Sequence, residues 1–163
     1  MLEFKRILVP VDFSRYSEAA LRYVVKMARD TAAEVIVLHV NEPILPSTAY
    51  VTPLGGYAEG YFSEVESARK VMSGLEPLLG DLPHRMIMRG GLAGDEILAS
   101  AQEVGADLIV LATHGRSGLS RLLMGSVAET VMRHADAPVM TLRAAWLVPE
   151  QPGVTRASRT ERV

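Results

Sequence analysis

Glycines, hydroxyls and arginines gather in Ala112-Thr113-His114-Gly115-Arg116-Ser117-Gly118-Leu119-Ser120-Arg121-Leu122-Leu123-Met124-Gly125-Ser126. Backbone N–H groups at a strand end and at a helix start can point at one anion, and this segment offers both. Gly115 and Gly118 permit a close backbone approach that a β-carbon blocks. Gly125 leads into the first amides of a helix, and Arg116 and Arg121 add cationic donors. Phosphate is the chemistry such a cradle takes. A second reading stays open beside it: glycines are common in turns, and Ser126-Val127-Ala128-Glu129 is a Ser-x-x-Glu capping box that would spend the hydroxyl on its own helix. A P-loop needs G-x4-G-K-[S/T], and a dinucleotide site needs G-x-G-x-x-G after the first strand; neither is present. His114 fits packing or a backbone bond more readily than catalysis, and His39, His84 and His134 are scattered without metal-ligand spacing.

Such a segment needs a scaffold that delivers a strand end and a helix start to one place. Short apolar runs alternate with longer stretches of helical period, the pattern of strands buried on both faces and their crossover helices. Five strands are expected, Arg6 to Val11, Glu34 to Val40, His84 to Arg89, Asp107 to Ala112 and Pro138 to Arg143. Four helices fall between them, about Ser14 to Asp30, Gly60 to Leu79, Gly94 to Val104 and Ser126 to His134. Helix one carries Ala19, Ala20, Tyr23, Val24, Met27 and Ala28 on one stripe, with Arg15, Arg22, Lys26 and Arg29 set away from it. The fold class is α/β: an open, doubly wound, five-stranded parallel sheet with helices on both faces. Such sheets commonly run 3-2-1-4-5 or 2-1-3-4-5, and 3-2-1-4-5 is the order expected here. It makes strands one and four neighbours where the winding reverses, the place where ligands bind. Pro10-Val11-Asp12 then faces Ala112 to Gly118 across one crevice. Asp12 is either a helix-entry cap before Ser14 or a carboxylate for a ribose, a base or a metal-bound water.

The 163 residues, 48% hydrophobic and 22% charged, suit one globular domain with a core. Seventeen Lys plus Arg against nineteen Asp plus Glu leave a net charge of −2, so no basic field gathers nucleic acid or an anionic membrane. With no cysteine there is no disulfide, Cys-ligated zinc, iron–sulfur cluster or thiol nucleophile. No apolar run approaches a membrane span or a signal peptide, and a cytoplasmic location is expected. The domain is expected to cover residues 1–143, with 144–163 as a disordered tail. Asn41 to Glu59, with three prolines and two glycines, reads as a long functional loop.

The chain resembles the universal stress protein family from Lys5-Arg6-Ile7-Leu8-Val9-Pro10-Val11-Asp12-Phe13-Ser14 to Pro138-Val139-Met140-Thr141-Leu142-Arg143, including Gly105-Ala106-Asp107-Leu108-Ile109-Val110. Its ATP-binding members carry G-x2-G-x9-G-[S/T]. Here the second glycine falls on Gly115, the third on Gly125 and the hydroxyl on Ser126, with nine residues from Arg116 to Met124 between them. The first glycine is replaced by Ala112, which costs little at negative φ and about 1 kcal/mol or more at positive φ. The resemblance implies an adenine nucleotide alpha hydrolase-like fold and ATP as ligand. Pro10, Val11, Asp12 and the Val40 backbone would line the adenine and ribose end. His114, Gly115, Arg116, Ser117 and Gly118, with Gly125, Ser126, Val127 and Ala128, would surround the phosphates, bridged by Mg²⁺ or Mn²⁺.

The function so implied is a homodimeric ATP-binding sensor or regulator in the stress response, with at most slow hydrolysis, joined through the last strand, Pro138 to Leu142. The physical motive for the dimer is an apolar sheet edge; the opposing expectation is an edge covered by Trp146 and Leu147 of the tail. Two other functions remain: a nucleotide-independent interaction module with Ala112 marking a degenerate site, and an ATPase or nucleotide transferase using Arg116, Ser126 and His114. The sequence does not name a protein partner.

Overall fold

A computed structural model describes residues 4–42, 59–112 and 125–143. Along the chain run β1 (Arg6–Pro10), α1 (Arg15–Thr31), β2 (Glu34–Asn41), α2 (Glu59–Ser73), α3 (Glu76–Leu79), β3 (His84–Gly90), α4 (Ala93–Val104), β4 (Leu108–Ala112), α5 (Ser126–His134) and β5 (Val139–Leu142). The strands form one parallel sheet in the order β3-β2-β1-β4-β5, as expected. The tail expected over 144–163, Trp146 and Leu147 included, lies outside the described residues, and so does most of the loop expected from Asn41 to Glu59.

Successive strand side chains point to opposite faces, and both faces are covered. Ile7, Val9, Val35, Val37, Leu108 and Val110 face one core with Leu21, Val24 and Ala28 of α1 and Leu79 of α3. Leu8, Ile36, Leu38, Ile109 and Leu111 face the other with Ile97, Ala101 and Val104 of α4 and Val131 of α5. This two-sided burial is why the strands read as unbroken runs of branched residues. The buried face of α1 is Ser17, Ala20, Leu21, Val24, Val25 and Ala28. Tyr23, placed on the buried stripe by its spacing, is 46% exposed.

The helix expected from Gly60 to Leu79 is two helices. It stops at Ser73, turns through Gly74 and Leu75, and restarts as α3 with Pro77 in its first turn. Proline lacks an N–H and its ring collides with the carbonyl four residues back, so an unbroken helix through Pro77 is excluded, and Gly74 is the weakest neighbour at which to break. Asp107, expected to open β4, lies just before it. Its carboxylate accepts the Lys5 and Arg6 amides at 2.8 and 3.0 Å, and its own amide donates to the Arg6 carbonyl at 3.0 Å, tying the starts of β1 and β4 together.

Helices α4 and α5 meet closely on their shared face of the sheet. A β-carbon on Gly94 would stand 2.9 Å from Thr130 Cγ2 and 3.2 Å from Thr130 Cβ. Gly94→Ala is expected to lower stability by about 1–2 kcal/mol in urea unfolding, because overpacking outweighs the better helix propensity of alanine. In a Thr130→Ser background, which removes Cγ2, that loss should largely disappear; an equal loss in both backgrounds would contradict the close crossing.

Candidate functional site

The winding reverses between β1 and β4, which pair Ile7 with Leu108 and Leu8 with Ile109. At the carboxyl ends of these two strands stand Pro10, followed by Val11 and Asp12, on one side and Ala112 on the other. Val40 sits near the end of the neighbouring β2. His114, Gly115, Arg116, Ser117 and Gly118 lie outside the described residues, as does Arg121. Gly125, Ser126, Val127 and Ala128 begin α5, the crossover between β4 and β5, whose amino end therefore returns to the carboxyl edge of the sheet.

The start of α5 is where expected, but the expected cap is not formed. Gly125 is the N-cap, at φ −62° and ψ 148°, and no side chain caps the helix. Glu129 gives its carboxylate to Arg133 at 2.9 Å instead of reaching back, while its amide donates to the Gly125 carbonyl. A Ser-x-x-Glu pattern leaves the frame open by one residue, and here the helix begins one residue earlier, with Ser126 already in its first turn. The Ser126 hydroxyl thus stays unspent on the helix. The amides of Ser126, Val127 and Ala128 have no carbonyl four residues back to donate to within the helix. A β-carbon on Gly125 would meet no described atom within 4 Å. Open donors at the positive end of a helix dipole suit phosphate oxygens.

Ala112 ends β4, paired in register with Leu142. It is not among the non-glycine residues with positive φ, so the methyl group in place of a glycine adds no backbone strain. The strain lies across the crevice instead, at Phe13, whose φ is +62°. A bulky aromatic in the left-handed region costs roughly 1–3 kcal/mol and persists only where its surroundings over-determine it.

Those surroundings are specific. Asp12 Oδ1 accepts from the Ser14 amide at 3.0 Å and the Ser14 hydroxyl at 2.6 Å. The Asp12 amide donates to the buried Ser17 hydroxyl at 3.2 Å. Ser14 is the N-cap of α1, its hydroxyl accepting the Ser17 amide at 3.2 Å. Asp12 therefore supports the cap without being it. On the other flank stands His39 of β2, only 5% exposed. Its Nδ1 is 2.8 Å from the Val11 carbonyl, and its ring stacks on Phe13 with centroids 4.0 Å apart. No local sequence pattern marks the pairing of His39 with Val11, which is 28 residues away.

Among the described residues, no group of three or more His, Asp or Glu gathers to hold a metal ion, and no helix is long and apolar enough to cross a membrane. A groove lined by Arg69, Met72, Ser73, Glu76, Met86 and Met88 opens beside edge strand β3 and includes none of the residues at the reversal point.

Comparison with known proteins agrees with this architecture. Universal stress protein MJ0577 of Methanocaldococcus jannaschii is 30% identical over 154 residues, covering 86% of this chain and 95% of that protein. Its solved structure superposes with a TM-score of 0.75 over 87% of this chain and 97% of that one. The fold is shared with a universal stress protein solved in complex with cAMP, at 19% identity and TM-score 0.62, covering 87% of this chain and 98% of that one. It is shared also with the Archaeoglobus fulgidus protein in complex with dAMP, at 22% identity and TM-score 0.57, covering 86% and 98%. The model of the universal stress protein family matches residues 3–143, from before β1 to the residue after β5, and with it the chain belongs to the universal stress protein family.

Proposed function

We propose that this chain binds ATP at the reversal point between β1 and β4 and acts as a cytoplasmic, homodimeric sensor or regulator in the stress response, with at most slow hydrolysis. The observation that carries the reading is the amino end of α5. Three first-turn amides and the Ser126 hydroxyl, none spent on capping, stand at the carboxyl edge of the sheet behind an N-cap glycine whose β-carbon would meet no described atom within 4 Å. Phosphates belong there, together with Gly115 to Gly118. The Val11–Asp12 turn and the Val40 backbone then serve the adenosine end. That two proteins of this fold hold cAMP and dAMP agrees with an adenine nucleotide. Their low identity carries the fold alone, so the reading rests on the donors of α5. The unstrained backbone at Ala112 supports ATP over a degenerate site, because the departure from glycine adds no backbone strain there. A divalent cation, Mg²⁺ or Mn²⁺, would be held mainly by the phosphates and would screen their charge.

β5 is an edge strand, with Val139, Met140, Thr141 and Leu142 all half-buried, and pairing with a second copy would cover it. Isothermal titration with ATP and magnesium is expected to show saturable binding. No detectable affinity at millimolar ATP overturns the reading, and a monomeric mass by sedimentation removes the dimer from it.

A further inference from the structure

We propose that His39 is the positioning residue of this nucleotide site, holding the Val11–Asp12–Phe13 turn in the conformation that faces the ligand; the proposal rests on the reading above. The Val11 amide still donates to the Leu38 carbonyl at 2.8 Å, one rung past the end of β1. In a continued parallel ladder the Val40 amide would take the Val11 carbonyl next. The imidazole takes it instead, at 2.8 Å. The chain leaves the sheet at that residue, and Phe13 turns left-handed to lie on the same ring.

A carbonyl only accepts, so Nδ1 carries the proton. In the neutral ring Nε2 is then an acceptor; the atom placed 3.1 Å from it is Asn41 Oδ1, and turning the carboxamide by 180° presents an N–H to it instead. The ring is thus fixed at both nitrogens and on one face, and it fixes Val11 and Phe13 in turn. Asp12 lies between those two residues and is held from its other side by Ser14 and Ser17. A turn that contains a left-handed aromatic relaxes when one of its restraints is removed. His39 touches no ligand in this arrangement; it acts through the turn.

Three substitutions separate the donor from the ring. His39→Phe keeps the ring and loses the donor, His39→Asn restores an N–H close to the place of Nδ1, and His39→Gln carries the same amide one methylene too far. Titration with ATP and magnesium is expected to show affinity about tenfold weaker for His39→Phe and His39→Gln, the size of one positioned hydrogen bond, with His39→Asn within about threefold of wild type. Wild-type affinity in His39→Phe with only a lower melting midpoint would overturn the proposal, as would equal losses in His39→Asn and His39→Gln. If His39→Phe does not fold, the Asn and Gln pair decides by itself. Wild-type protein that binds no ATP sinks the nucleotide reading and not the geometry. In that event the backbone NMR signals of Asp12 to Ser17, without nucleotide, move in His39→Phe and His39→Gln but not in His39→Asn if the inference holds, and behave alike in all three if it does not.

Discussion

Gly125→Asp is expected to weaken ATP binding by 100-fold or more while leaving the melting midpoint unchanged or slightly raised. The two effects have opposite signs because one carboxylate does both. Gly125 is the N-cap of α5 at φ −62° and ψ 148°, extended backbone that any residue adopts, and its β-carbon would meet no described atom. Aspartate is among the best N-caps, and a negative charge at a helix amino end contributes about 0.3–1 kcal/mol, so the fold tolerates or gains from the change. The same carboxylate would occupy the amides assigned to phosphate and repel it. Two unit charges about 4 Å apart cost about 4 kcal/mol at an effective dielectric of 20, close to three orders of magnitude in affinity. Gly125→Asn has the same size and capping ability without the charge, and should lose only about tenfold. Calorimetric titration and thermal unfolding of the three proteins decide it. Unchanged ATP affinity in Gly125→Asp would place the phosphates away from α5.

The parts of this fold that are readable from sequence are those where one environment acts on every residue of a segment. Ile7, Leu8 and Val9 are all fully buried because helices cover both faces of the sheet, and that burial selects the branched apolar runs that mark the strands. Right-handed crossovers then place helices on both faces, whereas the choice of 3-2-1-4-5 over 2-1-3-4-5 shows in the pairing of β1 with β4. Legibility fails where a residue answers to one distant partner. His39 reads as an ordinary strand histidine, because Val11 and Phe13 reach it only after β1 and β2 have paired. Phe13 carries no local sign of a left-handed backbone, a conformation that its size disfavours. Ala112 posed a question of φ, which residue type alone does not answer. At α5, Ser-x-x-Glu fits two frames one residue apart, and the frame with glycine as the cap is the one that leaves the serine for other use. The break at Gly74 and Pro77 was present in the chain, but the helical period on both sides masks it.

Leu8→Ala is expected to cost about 3 kcal/mol, the largest single-site loss of stability among these predictions. Leu8 is fully buried in the central strand, in register with Ile36 on one side and Ile109 on the other. It faces the core under α4 and α5. Removing a leucine side chain there forfeits its transfer free energy and leaves a cavity that neighbours on three elements cannot easily fill, a combination worth about 2–5 kcal/mol. For a domain of this size that lowers the melting midpoint by about 6–12 °C. Leu92, 65% exposed at the entry to α4, is the contrast: Leu92→Ala should stay within about 0.5 kcal/mol of wild type. A midpoint for Leu8→Ala within about 2 °C of wild type would contradict a central, doubly covered β1. The ligand supplies an independent check on the same strand, since β1 ends at the Val11–Asp12 turn. ATP that binds only the folded chain stabilises it by about 2.7 kcal/mol at 100 times its dissociation constant. It should therefore raise the midpoints of wild type and Leu8→Ala by similar free energies, and at the same concentration should stabilise Gly125→Asp by no more than about 0.4 kcal/mol. A core defect and a site defect then separate in one series of melts, because the first shifts the baseline stability and the second removes most of the response to nucleotide.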